Sequence, residues 1–313
     1  MKFNKYLQNG PLVSSIGLGA WQLGINSGWS DMSEKQAINL VHEAQDYGVN
    51  FFDTAPNYGL GTSEERLGKA LKKADRSTVV INTKFGHSVT GQTNFSADQI
   101  RSSIEGSLQR LQTDYVDSLI IHNPPMVYLD GNNNPHYEIL ERLIEEGKIK
   151  AYGASLDTNE EMQLLMNTTQ AKVIEAFFNI LHQDAANAFE KAKEQEVRII
   201  VKIPLDSGWL SGKYHADSVF NDVRSRWSRA DIVTRATLVE KIKKLSQDVN
   251  HLVQLAISFC LSYDAVATVI PGNLNPMQLQ NNLKSLDYPV SDNLRKELED
   301  FYKNEVQHLQ LVW

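Results

Sequence analysis

Cysteine is nearly absent: Cys260 is the only one in 313 residues. An intramolecular disulfide is therefore excluded, and a reducing, cytoplasmic setting is expected. Cys260 stands inside an apolar helical run and reads as an inert buried thiol. Long apolar runs are missing too. No window approaches the ~20 residues that a membrane span needs, and the opening MKFNKYLQNG lacks the apolar core of a signal peptide. Like charges never gather into a block, and 31 basic against 38 acidic residues leave a formal charge of −7. This balance argues against nucleic acid and anionic membrane as partners. The eight histidines show no HxxxH or HExxH spacing, so no metal site is expected. No Walker lysine motif and no GxSxG occur.

What is present is a repeated alternation of short apolar runs and helical patterns. Residues 3–13 alternate loosely around Asn9-Gly10 and read as a hairpin. Strands are then expected at 16–20, 51–52, 78–83, 116–121, 149–153, 172–178, 197–201 and 266–270. Helices fall between them, with Ser33, Ser63, Ser96 and Thr158 as candidate caps. Two further helices are expected near 234–246 and 251–262, and a last one near 276–283. Strands apolar throughout are buried on both faces, which means a parallel sheet. Eight such units predict an α/β fold, a (β/α)8 TIM barrel, with residues 1–313 as one domain. A dinucleotide-binding open sheet would need GxGxxG after its first strand, and Gly17, Gly19 and Gly24 do not supply it. Long connections at 85–96, 122–135 and 204–233 follow strands, on the barrel face where sites form. The tail after Leu286 is expected to be irregular.

Polar residues close several strands. Asp53 follows the second, Lys84 the third, His122 the fourth, Ser155 the fifth, and Lys202 ends the seventh; Glu175 lies in the sixth. Tyr58 sits on the loop after Asp53, beside Gly59. Asp53 and Lys84 alone could be a structural ion pair, and His122 alone a satisfied core histidine. Together, on successive strands of a barrel with a tyrosine alongside, they point to a site.

The sequence here resembles the aldo-keto reductases over nearly its whole length. The resemblance rests on Gly17-Leu18-Gly19-Ala20-Trp21, on FFDTAPNYG, on Thr83-Lys84-Phe85-Gly86, on Ile120-Ile121-His122, on Gly153-Ala154-Ser155 and on Ile270-Pro271-Gly272. It implies hydride transfer between a nicotinamide cofactor and a carbonyl or alcohol. Tyr58 would be the general acid/base, with its ordinary pKa of about 10 lowered by Lys84. Asp53 would hold Lys84, and His122 would orient the substrate oxygen.

The resemblance also assigns a cofactor site. Ser155 matches a carboxamide ligand, with Glu175 where glutamine is usual, Leu156 where asparagine is usual, and Lys202 where a stacking tyrosine is usual. Leu205, Ser207, Gly208, Leu210, Ser211 and Lys213 match the loop over the pyrophosphate. Gly272, Asn273, Gln278 and Asn282 match the adenosine end. The family implies NADP(H). However, no basic residue lies between Gly272 and Leu283 to grip a 2′-phosphate, which argues for NAD(H) or weak discrimination unless a basic residue from elsewhere, such as Arg224 or Arg226, reaches it. Trp21, Trp29, His87, Trp209 and Trp227, with the C-terminal tail, are expected around a polar, sugar-like carbonyl substrate. Two rivals remain: a nicotinamide-sensing regulatory barrel with little turnover, and a Schiff-base aldolase using Lys84 or Lys202. A monomer and a homo-oligomer are equally compatible with the sequence.

Overall fold

The computed structural model describes residues 1–25, 28, 31–247, 250–309 and 311. Trp29 and Trp313 lie outside the described residues. Two short antiparallel strands come first, β1 (Phe3–Asn4) and β2 (Val13–Ser14), paired Phe3 to Ser14 and Asn4 to Val13. Eight parallel strands follow: β3 (Leu18–Gly19), β4 (Phe51–Asp53), β5 (Val80–Phe85), β6 (Val116–His122), β7 (Ile149–Leu156), β8 (Val173–Phe177), β9 (Arg198–Lys202) and β10 (Val266–Val269). They are hydrogen-bonded in chain order from β3 to β10. The circle closes through parallel bridges from Ile16 to Val269 and from Gly19 to Gly272. The fold is a (β/α)8 barrel.

The helices are α1 (Glu34–Asp46), α2 (Thr62–Leu71), α3 (Gln99–Leu111), α4 (His136–Glu145), α5 (Asn159–Thr168), α6 (Phe189–Glu194), α7 (Arg229–Ser246), α8 (Leu252–Leu261), α9 (Pro276–Leu283) and α10 (Asp292–Phe301). Capping boxes start α1 at Ser33, α5 at Thr158 and α7 at Ser228, each side chain satisfying an orphan backbone N–H. Two expected caps are not caps. Helix α2 begins one residue before Ser63, whose hydroxyl instead donates to the Ala20 carbonyl at 2.7 Å. Helix α3 starts after Asp98, and Ser96 lies in the turn before it. The tail also departs from expectation. Ser291 accepts from the Leu294 N–H to start α10, and Leu298 and Phe301 bury one face of it.

Strand periodicity sorts the barrel interior into levels. Tyr6 from the hairpin meets Phe51, Val80, Ile120, Val173, Ile200 and Ala267 in an apolar plug. Two residues further along β4, β5, β8 and β9 stand Asp53, Asn82, Glu175 and Lys202, and Lys84 lies two beyond Asn82. The interior is thus apolar at the N-terminal ends of the strands and polar at the C-terminal ends. The strands are tightly spaced at Gly153, where a Cβ would fall 1.6 Å from the Val173 carbonyl oxygen.

Candidate active site

A cavity of about 430 Å³ opens at the C-terminal ends of the strands. Its walls include Trp21, Asn57, Tyr58, His122, Ser155, Glu175 and Lys202 at one end, and Ser207, Gly208, Lys213, Gln278 and Asn282 at the other. Asp53 also reaches it. Three of the four expected catalytic side chains thus line the cavity, and Lys84 is buried against Asp53; the four come from three strands and a loop.

Lys84 is fully buried at the base. Its Nζ donates to Asp53 Oδ1 and Oδ2 at 2.6 and 2.7 Å and to the Thr54 carbonyl at 3.1 Å. A second carboxylate, Glu175, stands 3.0 Å away on the other side. Burial opposes the ammonium charge, but the two carboxylates outweigh it and hold the lysine firmly protonated. Lys84 Nζ is 5.1 Å from the Tyr58 ring centre. Yet the phenol is not lowered as expected. Burial pushes it well above its ordinary value, Lys84 only partly reverses this, and Asp53 and Glu175 add to the rise.

His122 presents its ring edge to Tyr58, with centroids 5.7 Å apart. Burial first, then Lys84, His87 and Lys202, hold its imidazole well below the ordinary value, so it is neutral. Its Nδ1 is buried without a hydrogen-bond partner among the described residues. His87 supports it from behind: His87 Nε2 lies 3.0 Å from the His122 carbonyl, which can only accept, so Nε2 carries the hydrogen. Thr93 then donates to His87 Nδ1.

Beyond the four, a polar ladder runs across β7–β9. Ser155 donates to Glu175 Oε1 at 3.1 Å and accepts from Lys202 Nζ at 2.9 Å. Lys202 also reaches Asn123 Oδ1 and Asp157 Oδ1, each at 2.8 Å. Asn82 donates to Asp53 Oδ1 at 2.7 Å. Sequence reasoning missed Asn82 and Asp157. The signal for Asn82 was its place two residues before Lys84 on the same inward face.

Several expected site residues lie elsewhere. Trp209 and Trp227 do not line the cavity; they pack with Phe220 into a buried aromatic cluster. His87 touches the His122 backbone and not the cavity. Leu210 and Asn273 are buried behind the wall, where Asn273 Oδ1 accepts from Asn282. Trp21 lines the cavity and stacks on Tyr58 at 6.0 Å. In the long loop Arg224 lines the cavity, clasped by Asp222 with Nε donating to Oδ1 at 2.9 Å. Arg226 Nη2 approaches Ser207 Oγ at 3.4 Å. Among the described residues no cluster of metal-ligating side chains occurs, and no helix is long and apolar enough to cross a membrane.

The model of the Aldo/keto reductase family matches residues 15–303. The chain belongs to the aldo/keto reductase family. Its relatives include the NADH-specific methylglyoxal reductase of Escherichia coli (strain K12), 27% identical over 90% of this chain and 92% of that protein. The L-galactose dehydrogenase of Arabidopsis thaliana is 28% identical over 88% of this chain and 84% of its own length. Among solved structures, an aldo-keto reductase from Bacillus halodurans in its holo form superposes with a TM-score of 0.80, 25% identity and 96% coverage of each chain. As an aldo/keto reductase the chain is an oxidoreductase of the class that uses nicotinamide cofactors and small carbonyl or alcohol substrates.

Proposed function

We propose that the whole chain works as one unit in the reducing cytoplasm, reducing a small polar aldehyde or ketone with Tyr58 as proton donor. The observation that carries this reading is that Asp53, Tyr58 and His122 line one cavity while Lys84, clamped by Asp53, is buried 5.1 Å from the Tyr58 ring centre. A developing alkoxide needs a proton as hydride arrives. Tyr58 would deliver it. Lys84 would ease the loss of that proton, because a nearby ammonium favours phenolate. His122, neutral, would offer an N–H to the carbonyl oxygen and fix its direction. Asp53 would keep Lys84 charged and in place.

The residues present fit a dinucleotide cofactor, which would supply the hydride. Asp206, Ser207 and Gly208 have consecutive positive φ values of 45°, 52° and 97°, a backbone form related to anion-binding nests. At Gly208 a Cβ would crowd Tyr214 at 3.2 Å. Lys213 adds a cation at the cavity wall. Ser155, Glu175 and Lys202 would face the nicotinamide end, and Gln278 and Asn282 the adenosine end. We favour NAD(H). The segment from Gly272 to Leu283 offers no cation, and Asp222 already pairs with Arg224. The relative named NADH-specific points the same way. That relative's methylglyoxal and the galactose of the other also favour a small, oxygen-rich carbonyl compound. A Schiff-base role is disfavoured, since Lys84 is held as an ammonium and Lys202 is tied on three sides.

Steady-state assays with NADH and NADPH on methylglyoxal, glyceraldehyde and an aromatic aldehyde test the reading. Repeated turnovers are expected, with the larger kcat/KM on an oxygen-rich aldehyde and NADH. Tight cofactor binding without turnover on any carbonyl would favour the sensing barrel instead.

A further inference from the structure

Two buried carboxylates share one ammonium at the base of the cavity. Lys84 Nζ lies 2.6 Å from Asp53 and 3.0 Å from Glu175 Oε2. Asn82 reaches both acids, donating at 2.7 Å to Asp53 Oδ1 and at 3.4 Å to Glu175 Oε2. One carboxylate is enough to hold a lysine. A second, fully ionised, leaves an unbalanced negative charge inside the barrel, which low polarity strongly disfavours. A single proton held between the two acids removes that charge.

The surroundings leave this solution standing. On β9, Lys202 faces Glu175 across Ser155 and divides its charge between Glu175 and the half-exposed Asp157, 2.8 Å away. On β6, His122 is neutral, and Ser118 donates to Asn82 Oδ1 at 2.5 Å. Since Ser118 has one hydrogen, Tyr6, 2.6 Å away on the hairpin loop, must donate to Ser118 and brings no charge. Tyr58 completes the ring of groups. Burial first, then Glu175, hold the Asp53 carboxyl above the usual carboxylate range, while Lys84 and Lys202 keep Glu175 down despite burial.

We propose that Glu175 is a positioning residue that holds one proton jointly with Asp53, and that release of this proton sets the upper pH limit of carbonyl reduction. The inference rests on Tyr58 being the acid. While the shared proton is present, Asp53, Lys84 and Glu175 together are neutral. When it leaves for solvent, a negative charge near Tyr58 opposes the phenolate that forms as Tyr58 gives up its own proton. No covalent bond is made or broken among these residues. A glutamine here, usual by family resemblance, could not hold the second charge.

The test is Glu175→Gln in the full-length enzyme with cofactor bound. The amide oxygen can face Lys84 and its NH2 can face Ser155 Oγ, so the shape of the site is kept. The wild-type kcat for reduction should fall along a limb between the ordinary carboxyl and phenol ranges. In Glu175→Gln that limb should move up by about one pH unit or more, leaving the variant roughly tenfold faster on the alkaline side. Glu175→Asp, which keeps the charge, should retain the limb. Infrared titration of the wild type should show a protonated carboxyl that deprotonates along the same limb and is absent in Glu175→Gln. An unshifted limb in Glu175→Gln overturns the proposal. So does a wild type with no protonated carboxyl at neutral pH, a result that needs no variant to fold. Wild-type turnover in Tyr58→Phe would overturn the proton-donor reading itself; an inactive Tyr58→Phe with an unshifted Glu175→Gln limb overturns only this inference.

Discussion

At the scale of single residues, the site is governed by which charges are answered. Lys84 has two carboxylate partners that hold it protonated, so any part it plays in the proposed reaction would be through its field. His122 is the opposite case: burial and neighbouring cations keep it neutral. An unfolded chain takes up a proton at this histidine near pH ~6.5, and the folded chain does not until lower pH. The unfolded state therefore binds more protons in that window, and stability falls as pH falls through it. The contribution is fully present above the unfolded value and lost toward the depressed folded one. Replacing His122 by Asn should flatten the drop in melting temperature on acidification, by roughly 1 kcal/mol near pH ~5.5. An equal drop in both proteins would refute the neutral assignment. Much of this scale was legible in advance. Asp53, Tyr58, Lys84 and His122 stand in the sequence in family order, and the structure brings them together. The place of Glu175 against Lys84 was not legible, because it depends on a barrel cross-section that brings side chains of β5 and β8, three strands apart, together across the interior.

At the scale of elements, alternation along strands does most of the positioning. Val80, Asn82 and Lys84 face inward on β5, so a step of two residues leads from the apolar plug to a hydrogen-bond bridge and a second such step to the lysine. The strand pairing that holds this order tolerates little at Gly153, where an added methyl would collide with the β8 backbone at Val173. Gly153→Ala should separate β7 from β8, lower stability by several kcal/mol and weaken the Ser155–Glu175 contact. Denaturant unfolding with a near wild-type midpoint would contradict this. Strands and helices were read correctly in number within the barrel, since each carries a clear apolar run or period. Their ends were less legible. Ser63 and Ser96 look like caps, but tertiary partners claim Ser63 and a preceding turn holds Ser96. Helix α10 is absent from the expected elements although Leu294, Leu298 and Phe301 recur at helical spacing, because the segment lies beyond the last expected unit.

At the scale of the whole molecule, one cavity joins the proposed catalytic residues at the centre of the barrel to the residues proposed to select the cofactor at its rim. Arg224 lines the wall but is clasped by Asp222. Removing that carboxylate, as in Asp222→Ala, should leave the guanidinium, still held by Tyr214, with its charge unanswered by Asp222, and raise NADPH affinity relative to NADH by about tenfold. An unchanged ratio from direct binding measurements would place the control elsewhere. The aromatic cluster of Trp209, Phe220 and Trp227 holds the same loop, which explains why tryptophans expected at the substrate serve the scaffold. The most direct measurement is the kcat of Tyr58→Phe for carbonyl reduction, with cofactor affinity determined on the same protein. Loss of the proton donor should lower kcat by about 10²–10⁴-fold while cofactor affinity holds, whereas a kcat equal to the wild type's would contradict the role given to Tyr58.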